Sequence, residues 1–470
     1  MSIVAFIIGI AIPAVIGWLV IDLLEWNTPV CDRWEKAVLG YVFGLPLAMF
    51  CAFFGNILLG VPFTITGFAT VFGAVIIVTG ILCYIRKRRP TPVHHVPKEA
   101  IPRWVRIVLI VWGGWIALRV LALTLTTLAT PPFFDDTMDN WNLRGKIFYY
   151  GKKFTIAFPW NENPGVSSYP PTVPMMKAWL STLAGGWNEA LVNSIHVVWY
   201  LTLVALLFFV LRRVLPQAWA IAGTLLLASL PLELIQGVNA YADVFLSVHV
   251  FAAISLLFLA LEDRTQSPAL LRLSALAIGL VPFTKNEGWA LYFPVLLLLF
   301  GGSFVWIWRK NFLTKKNLIH TGMISAALIV GLVAPWIAFK LINGLAFGNA
   351  KGIDLHLAWQ SGVLQAIGVN TFLEGNWFFL FPLFFGLLIV RWRTGLCSSL
   401  MLLSTLFLIP YLTQLFAYLT TGLSREAVYQ TGYARGLIHL MPVVVTLTTV
   451  LLYDLITCRR TPPSSVTNRT

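Results

Sequence analysis

An acidic cluster early in the chain has the residue types of a general base. Asp135 and Asp136 are adjacent, and Asp139 follows within one helical turn. Carboxylates that pack together in apolar surroundings raise one another's pKa, so that one of them can accept a proton from a hydroxyl near neutral pH. The cluster therefore predicts acid–base chemistry. The structural alternative is that these residues cap the start of a helix, where Asp is favoured.

Basic residues late in the chain are candidates for holding an anion. Arg435 and His439 are four residues apart, so in a helix they share one face. Arg binds phosphate through paired hydrogen bonds, and His donates a proton or stabilises charge. Arg425 adds a third cation to the same segment. The alternative is that Arg435 reaches toward lipid headgroups while His439 lies in the protein interior.

Two more polar groups separate apolar runs. The first begins at Glu233 and ends at Asp243, and acids so close to membrane-spanning segments are costly unless they face a cavity or a partner. The second is TKNEG at 284–288, in which Lys285 is a candidate for binding phosphate or orienting a donor beside Glu287. A tight turn between two apolar runs also needs polar residues, so a structural role for TKNEG stays open.

The composition excludes a soluble protein. Of 470 residues, 58% are hydrophobic and only 11% are charged, and the mean hydropathy is +0.81. Soluble domains carry about 25% charged residues. The same values exclude disordered, collagen-like and disulfide-rich secreted chains. The apolar runs are continuous for roughly 20 residues, which favours transmembrane helices over the alternating strands of a β-barrel. We therefore expect an all-α polytopic membrane protein.

About thirteen apolar runs are long enough to count as candidate transmembrane helices, since a helix needs about 20 residues to cross the bilayer. The run at 270–284 is short and the run at 376–390 contains Pro382, so either is also compatible with a re-entrant or tilted helix. The runs lie near 2–21, 37–59, 62–85, 104–130, 190–211, 217–235, 243–261, 270–284, 289–308, 320–341, 376–390, 395–418 and 437–456.

The net charge of +14 indicates how these helices are oriented. Cytoplasmic loops are enriched in Lys and Arg. We assign the face with the strong basic clusters to the cytoplasm, which places the N-terminus outside. In a polar chain this excess would suggest nucleic acid, but here it sets topology, and we expect no nucleic-acid partner. The clusters fall in one set of alternate loops and include 86–89, 212–213, 309–316, 391–393 and 459–460.

The opposite face carries one long loop, roughly 131–189, which contains the acidic cluster. Long loops in compact domains are usually functional or disordered. This one is rich in aromatic residues of the kind that lie at the headgroup level of a bilayer. Segments 137–150 and 173–184 each have the pattern of a short amphipathic helix in the membrane interface. An aromatic membrane anchor is the alternative to a binding site and does not exclude one.

The sequence contains no motif for a soluble cofactor. It has no G-x-x-x-x-G-K-[ST], H-E-x-x-H, C-x-x-C or G-x-S-x-G. No cofactor is therefore required by the sequence, and the energy for a reaction must come with the substrate or from a gradient.

Three motifs together resemble the GT-C membrane glycosyltransferases, a group that includes protein mannosyltransferases and aminoarabinose transferases and that uses lipid-phosphate-linked sugars. An acidic pair opens the long outer loop, Tyr169 begins a Tyr-Pro-Pro element before the next helix, and Arg435 and His439 precede a proline in a late helix. The segment WNLRGKIFYYG is also similar to a stretch of bacterial members.

The resemblance covers about residues 104–456 and divides the chain into three parts. We expect a GT-C-like catalytic core at 104–456, with the outer loop at 131–189 carrying short interfacial helices. Residues 1–103 then form accessory transmembrane helices with a basic cytoplasmic loop, and residues 457–470 form a short cytoplasmic tail.

The resemblance implies transfer of a sugar from a polyprenyl-phosphate donor to an acceptor glycan, lipid or protein. In a bacterial inner membrane this would occur on the periplasmic side, among membrane lipids. Asp135 or Asp136 would take the proton of the acceptor hydroxyl as it attacks the anomeric carbon, with inversion. Arg435 and His439, helped by Lys285 or Arg425, would stabilise the phosphate that leaves.

Other polar residues of the outer side would bind the substrates, and the resemblance leaves room for a divalent cation, Mg²⁺ or Mn²⁺, held by carboxylates. The expected substrate-binding residues are Asp139, Trp141, Glu162, Tyr169, Glu233, Asp243 and Glu287.

Two other functions compete with glycosyl transfer. A transporter or flippase of a lipid-linked or small polar substrate would have inverted repeats and ionisable residues near mid-membrane. Here Arg119 is the clearest charge within a predicted span, and we find no repeat. An O-antigen ligase or polymerase would also use outer Arg and His residues, but it more typically has its long loop late in the chain. An outer-loop acid close to Arg435 would favour transfer.

Overall fold

The computed structural model describes residues 2–26, 28–86, 101–132, 136–158, 165–348, 360–429 and 432–458. Within these ranges the regular structure is entirely helical, which confirms the all-α class. The helices of the first half are α1 (Ser2–Glu25), α2 (Arg33–Leu59), α3 (Ile65–Ile85), α4 (Arg103–Ala129), α5 (Leu143–Gly151), α6 (Gly165–Ser168), α7 (Thr172–Ala184), α8 (Glu189–Val214), α9 (Gln217–Ser229) and α10 (Pro231–Val238).

The second half continues with eleven more helices and several irregular turns. The helices are α11 (Asp243–Glu262), α12 (Ser267–Leu280), α13 (Phe293–Arg309), α14 (Lys315–Ile342), α15 (Val363–Gly368), α16 (Leu380–Val390), α17 (Trp392–Cys397), α18 (Met401–Thr420), α19 (Ser424–Val428), α20 (Tyr433–Ile438) and α21 (Met441–Cys458). A 3₁₀ turn covers Val281–Phe283, and π-helical segments cover Thr137–Asn142, Gly288–Tyr292 and Val369–Leu373.

Long apolar helices make the chain an integral multi-pass membrane protein. Nine helices of the described ranges are long and apolar enough to cross a membrane, and a tenth span results if α9 and α10 are counted together. The predicted count of about thirteen is therefore not confirmed. The remaining predicted runs coincide with shorter apolar helices at Ser267–Phe283, Leu380–Val390 and Met441–Thr457.

The span predicted at 217–235 is broken in the middle. α9 and α10 meet at an angle of 71°, because Pro231 begins α10 and has no N–H to continue the helix. Polar groups of Ser229 at the break are bound from α4: Arg119 Nη1 donates to the Ser229 carbonyl at 3.2 Å, and Trp112 Nε1 donates to its hydroxyl at 2.8 Å. Arg119 therefore has a structural role within the membrane-spanning region.

The loops predicted to be cytoplasmic meet at one end of the bundle. Arg213, near the end of α8, pairs with Glu35 in the first turn of α2 at 2.6 Å and donates to Gln266, just before α12, at 3.1 Å. Arg272 in α12 donates to the carbonyl of Leu24 in α1 at 2.6 Å. The basic loops that the sequence assigns to the cytoplasm therefore lie together, as the predicted topology requires.

The first two helices pack closely against each other and against the rest of the bundle. A Cβ on Gly44 of α2 would lie 1.8 Å from the carbonyl oxygen of Pro13 in α1, so only glycine permits this approach. Trp179 of α7 donates through Nε1 to the carbonyl of Gly9 at 3.1 Å. The helices predicted as an accessory region are thus joined to the predicted core, and the boundary at residue 103 stays a prediction.

Both helices predicted within the outer loop are present, but one of them is not at the surface. The π-helical segment and α5 account for 137–150, and α7 accounts for 173–184. Every residue from Thr172 to Thr182 is buried, so the prediction that this helix lies in the membrane interface is wrong. Its polar side chains have partners inside the protein, since Lys177 Nζ donates to Oδ1 of Asn142 at 2.6 Å and of Asn193 at 2.9 Å.

Candidate active site

Asp243 lies at the centre of a cluster of charged side chains, far from the basic loops. It is the first residue of α11, whose other end at Glu262 is about 30 Å away. Its side chain is only 2% exposed. Its Oδ1 accepts a hydrogen bond from Lys285 Nζ at 2.7 Å and faces His439 Nε2 at 3.1 Å, while its Oδ2 accepts from Arg435 Nη2 at 3.1 Å. Three basic groups therefore hold this carboxylate in place.

Arg435 joins Asp243 to the acidic cluster found in the sequence. The same Nη2 atom that binds Asp243 donates to Asp136 Oδ2 at 2.9 Å. The Arg435 guanidinium also lies over the ring of Tyr241, 4.2 Å from its centre. Burial alone would lower the pKa of Arg435, but the carboxylates of Asp243 and Asp136 raise it above its ordinary value. Arg435 is thus a permanent cation shared by a buried acid and an accessible one.

Lys285 is the second cation of the cluster. Besides Asp243 it pairs with Glu287, Nζ to Oε1, at 3.0 Å. Its side chain is 7% exposed, whereas that of Glu287 is 36% exposed. Burial would lower the pKa of Lys285, but the neighbouring carboxylates of Asp243 and Glu287 raise it above its ordinary value. Each cation therefore contacts one buried acid, Asp243, and one acid that a ligand can reach.

Irregular helical turns position the two accessible acids. The π-helical segment Thr137–Asn142 directly follows Asp136, and Gly288–Tyr292 directly follows Glu287. Such segments are rare and frequently occur at functional sites, because the widened turn changes the direction of the side chains. Arg435 lies in α20, and His439 is the residue directly after this helix. Both contact the carboxylate of Asp243, as their spacing of four residues predicts.

Tyr169 borders the cluster from the outer loop. Its ring packs edge-on against Trp141 at 5.6 Å, and its carbonyl accepts a hydrogen bond from Arg144 Nη2 at 2.9 Å. Burial raises the pKa of Tyr169, and the charges of Glu287 and Lys285 also act on it. Nearby, the Thr172 hydroxyl donates to the Phe283 carbonyl, which joins the start of α7 to the segment carrying Lys285. The Tyr-Pro-Pro element thus lies beside the charged cluster.

The structure brings together six of the residues predicted as site residues and leaves others apart. Asp139 and Arg425 are exposed, and neither forms an ion pair with the cluster in the described ranges. Glu233 is fully buried outside the ion-pair network. Asp135 and Glu162 lie outside the described residues. The six that meet are Asp136, Asp243, Lys285, Glu287, Arg435 and His439.

Two aromatic residues contribute to the cluster without having been assigned a role from sequence. Tyr241 lies under Arg435, and the sequence marks it as a member of the polar group that begins at Glu233 and ends at Asp243. Tyr292 packs edge-on against His439 at 5.6 Å. It comes from the π-helical segment after Glu287, and nothing in its sequence context distinguishes it from the many other aromatic residues of the chain.

The acids of the cluster are poorly suited to hold a divalent cation. Both oxygens of Asp243 contact basic side chains, and Asp136 and Glu287 each contact one through a single oxygen, so each acid of the cluster already neutralises a cation. Across the part of the chain that the structure describes, no three His, Cys, Asp or Glu residues are placed to hold a metal ion. Mg²⁺ or Mn²⁺ binding stays a prediction from the resemblance.

Comparison with known proteins supports the class that the motifs indicate. Residues 168–339 match the family model described as dolichyl-phosphate-mannose-protein mannosyltransferase. The matched region contains Asp243 and Lys285 but neither Asp136 nor Arg435. The match confirms the resemblance to the GT-C membrane glycosyltransferases and supports that class for this chain.

Among solved structures, the chain is similar to the crystal structure of ArnT from Cupriavidus metallidurans in the apo state, with a TM-score of 0.48 and 15% sequence identity. The similarity covers 75% of this chain and 60% of that one, so the chain spans less than two thirds of the length of ArnT. No curated protein matches the chain by sequence.

Proposed function

We propose that the protein transfers a sugar from a polyprenyl-phosphate donor to a hydroxyl group of an acceptor glycan, lipid or protein. The observation that carries this proposal is the meeting of Asp136, Asp243, Lys285, Arg435 and His439. They come from four separate segments of the chain. A general base, two permanent cations and a histidine at one end of a membrane bundle match what transfer from a lipid phosphate needs.

The donor phosphate would bind Arg435 and Lys285 by replacing the accessible acids. Asp136, which pairs with Arg435, is 44% exposed, and Glu287, which pairs with Lys285, is 36% exposed. Asp243 is only 2% exposed and pairs with both cations inside the protein, so it would keep them in position. Negative charge accumulates on the phosphate as its bond to the anomeric carbon breaks. Cations already fixed in position stabilise that charge without further rearrangement.

The same replacement would free Asp136 to act as the base. The acceptor oxygen attacks the anomeric carbon as its proton passes to Asp136, and the polyprenyl phosphate leaves from the opposite side of the sugar, which inverts the anomeric configuration. Asp243 is a poor base by comparison because three basic groups occupy it. Asp135, outside the described residues, is the other candidate.

The positive-inside rule supports a site on the outer side of the membrane, which in a bacterium would be the periplasmic side of the inner membrane. The basic loops gather at the end of the bundle opposite to the charged cluster, as the contacts of Arg213 and Arg272 indicate. Introduced cysteines at positions 160 and 88 test this assignment: an impermeant thiol reagent should label only position 160 in intact cells.

Transfer can be tested in membranes from cells that produce the protein, since these supply natural acceptors. Decaprenyl phosphates carrying a labelled hexose, N-acetylhexosamine or pentose are added, and the release of decaprenyl phosphate is measured. We expect release by the wild type, and its loss in Arg435→Met and in either Asp135→Asn or Asp136→Asn. Asp263→Asn, at the other end of α11, is the matched control and should behave as the wild type.

Two results would count against the proposal. If the wild type releases no decaprenyl phosphate from any of these donors, glycosyl transfer from such lipids is wrong. If both aspartate variants release it at the rate of the wild type, the assignment of the base is wrong.

A further inference from the structure

The short helix α10 has a buried polar face next to the charged cluster. Glu233 and Gln236 are three residues apart and therefore share one side of the helix, and Asn239 follows directly after its end. Glu233 is 0% exposed and Gln236 is 8% exposed, whereas Ile235 on the other side is 43% exposed. The polar side of α10 thus faces the protein and its apolar side faces outward, the reverse of a helix in a soluble protein.

The polar atoms on this face have no partner within the described part of the chain. Both carboxyl oxygens of Glu233, Oε1 of Gln236 and Nδ2 of Asn239 are buried without a hydrogen bond. Buried polar groups are nearly always hydrogen-bonded, because leaving one without a partner costs more than a typical hydrogen bond contributes. Three residues spaced three apart, each with a buried polar atom that has no hydrogen bond, indicate a binding partner outside the protein.

The face lies close to the residues proposed to hold the donor phosphate. The chain passes from Asn239 through Tyr241, which lies under Arg435, to Asp243. The charge of Asp243 is near enough to act on Glu233. A Cβ on Gly237 would lie 2.2 Å from the ring of Tyr200 in α8, so glycine is needed at this point for α10 to pack against α8.

The chemistry of these atoms selects among the possible ligands. A fully buried carboxyl without a partner is neutral, so Glu233 can both donate and accept, while Gln236 Oε1 accepts and the Asn239 amide donates. Such a mixture suits neighbouring hydroxyl groups, which also both donate and accept. A metal ion would satisfy the oxygens of Glu233 and Gln236 but not the Asn239 amide, and a phosphate would find no cation among these three residues. A sugar joined to a phosphate on Arg435 would extend toward neighbouring residues, of which this face is one group.

We infer that Glu233, Gln236 and Asn239 bind the hydroxyl groups of the donor sugar and so determine which sugar is accepted. This inference rests on the proposed function. Because Glu233 and Gln236 are buried, α10 must shift for a sugar to reach them. The break at Pro231 provides a hinge, and the described contacts that hold the helix include Thr127 Oγ1 donating to the Val238 carbonyl at 3.1 Å.

The test compares the affinity of the purified protein for decaprenyl phosphate with its affinity for decaprenyl phosphates carrying a hexose, an N-acetylhexosamine or a pentose. We expect the wild type to bind at least one glycosylated form more tightly. Glu233→Met and Gln236→Met should each lose about ten- to hundredfold of that preference while binding decaprenyl phosphate as before. Ile235→Ala, on the opposite side of α10, is the control and should keep the preference.

A second readout needs no ligand. Methionine is close in size to both side chains and removes the buried polar atoms, so each variant should be at least as resistant to thermal unfolding as the wild type when no donor is present. A less stable Glu233→Met protein would show that the carboxyl has a structural partner and would overturn the inference. Asn239→Leu, outside the helix, serves as a third variant with the same expected loss of preference.

The outcomes separate this inference from the proposed function. Binding of neither lipid by the wild type contradicts the proposed function. Two results overturn the inference while leaving the proposed function intact: equal binding of bare and glycosylated lipids by the wild type, or an undiminished preference in the variants. The buried polar atoms would then be hydrogen-bonded to enclosed water molecules.

Discussion

Replacement of Asp243 by Asn should destabilise the protein, because it leaves a buried cation, Lys285, and a partly buried one, Arg435, without their common anion. Lys285 is 7% exposed and Arg435 is 26% exposed, and both bind the Asp243 carboxylate directly. Removing one partner of a buried ion pair typically costs about 3–5 kcal/mol. Asp136 and Glu287 remain beside the two cations and compensate in part. We therefore expect Asp243→Asn to lower the free energy of unfolding by about 3 kcal/mol, at the low end of that range.

A double-mutant cycle separates this electrostatic cost from the loss of packing. Lys285→Met removes one of the two cations, so the free energy that Asp243→Asn costs should be smaller in the Lys285→Met background. The difference should be about 1–3 kcal/mol, as for other contacting pairs. The measurement is equilibrium unfolding in mixed micelles titrated with SDS, for the wild type, both single variants and the double variant. Asp139→Asn, at an exposed acid outside the ion-pair cluster, is the control.

Additive effects of Asp243→Asn and Lys285→Met on the free energy of unfolding would contradict this prediction, because they would mean that the two side chains do not stabilise each other. A change of less than about 0.5 kcal/mol in Asp243→Asn alone, as is typical of surface substitutions, would refute it as well.

Three further predictions concern Lys177, Tyr241 and Gly44. Burial lowers the pKa of Lys177 to about 7, while Glu189 opposes the shift. Between about pH 7 and 10 the unfolded chain then binds more protons than the folded one, so the free energy of unfolding should rise by about 1.4 kcal/mol per pH unit. Thermal unfolding measured across this range should show the rise for the wild type and not for Lys177→Met. Tyr241→Leu removes the ring under Arg435 and should weaken binding of decaprenyl phosphate by about 2- to 30-fold, whereas Tyr241→Phe should not. Gly44→Val should force α1 and α2 apart and reduce the monodisperse fraction in size-exclusion chromatography, whereas Gly73→Val, which has open space around it, should not.

Hydrophobic patterning was sufficient to predict where the apolar helices lie. Each apolar run coincides with a helix or a bent pair of helices, because the lack of hydrogen-bond partners in a bilayer forces the backbone into helices. The number of spans was less predictable. The break before Pro231 and the short α16 depend on what lies around them, as the bonds from Arg119 and Trp112 to Ser229 illustrate.

The candidate site was only partly predictable, because spacing identifies residues on one helix and not contacts between helices. Arg435 and His439 could be paired from their separation of four. That both meet Asp243, which was expected to bind substrate, depends on the packing of α11 against α20. The burial of α7 was mispredicted for a similar reason, since the partners of Lys177 come from two other segments.

The most direct test of the central claim, that Asp136 takes the acceptor's proton during sugar transfer, is the single-turnover transfer rate of Asp136→Asn at saturating donor. We expect a fall of about 10²- to 10⁴-fold, the usual contribution of a general base. Donor affinity should be equal or tighter, because an amide competes less well with phosphate for Arg435. Transfer at the rate of the wild type would contradict the choice of Asp136 as the base and would leave Asp135 as the candidate.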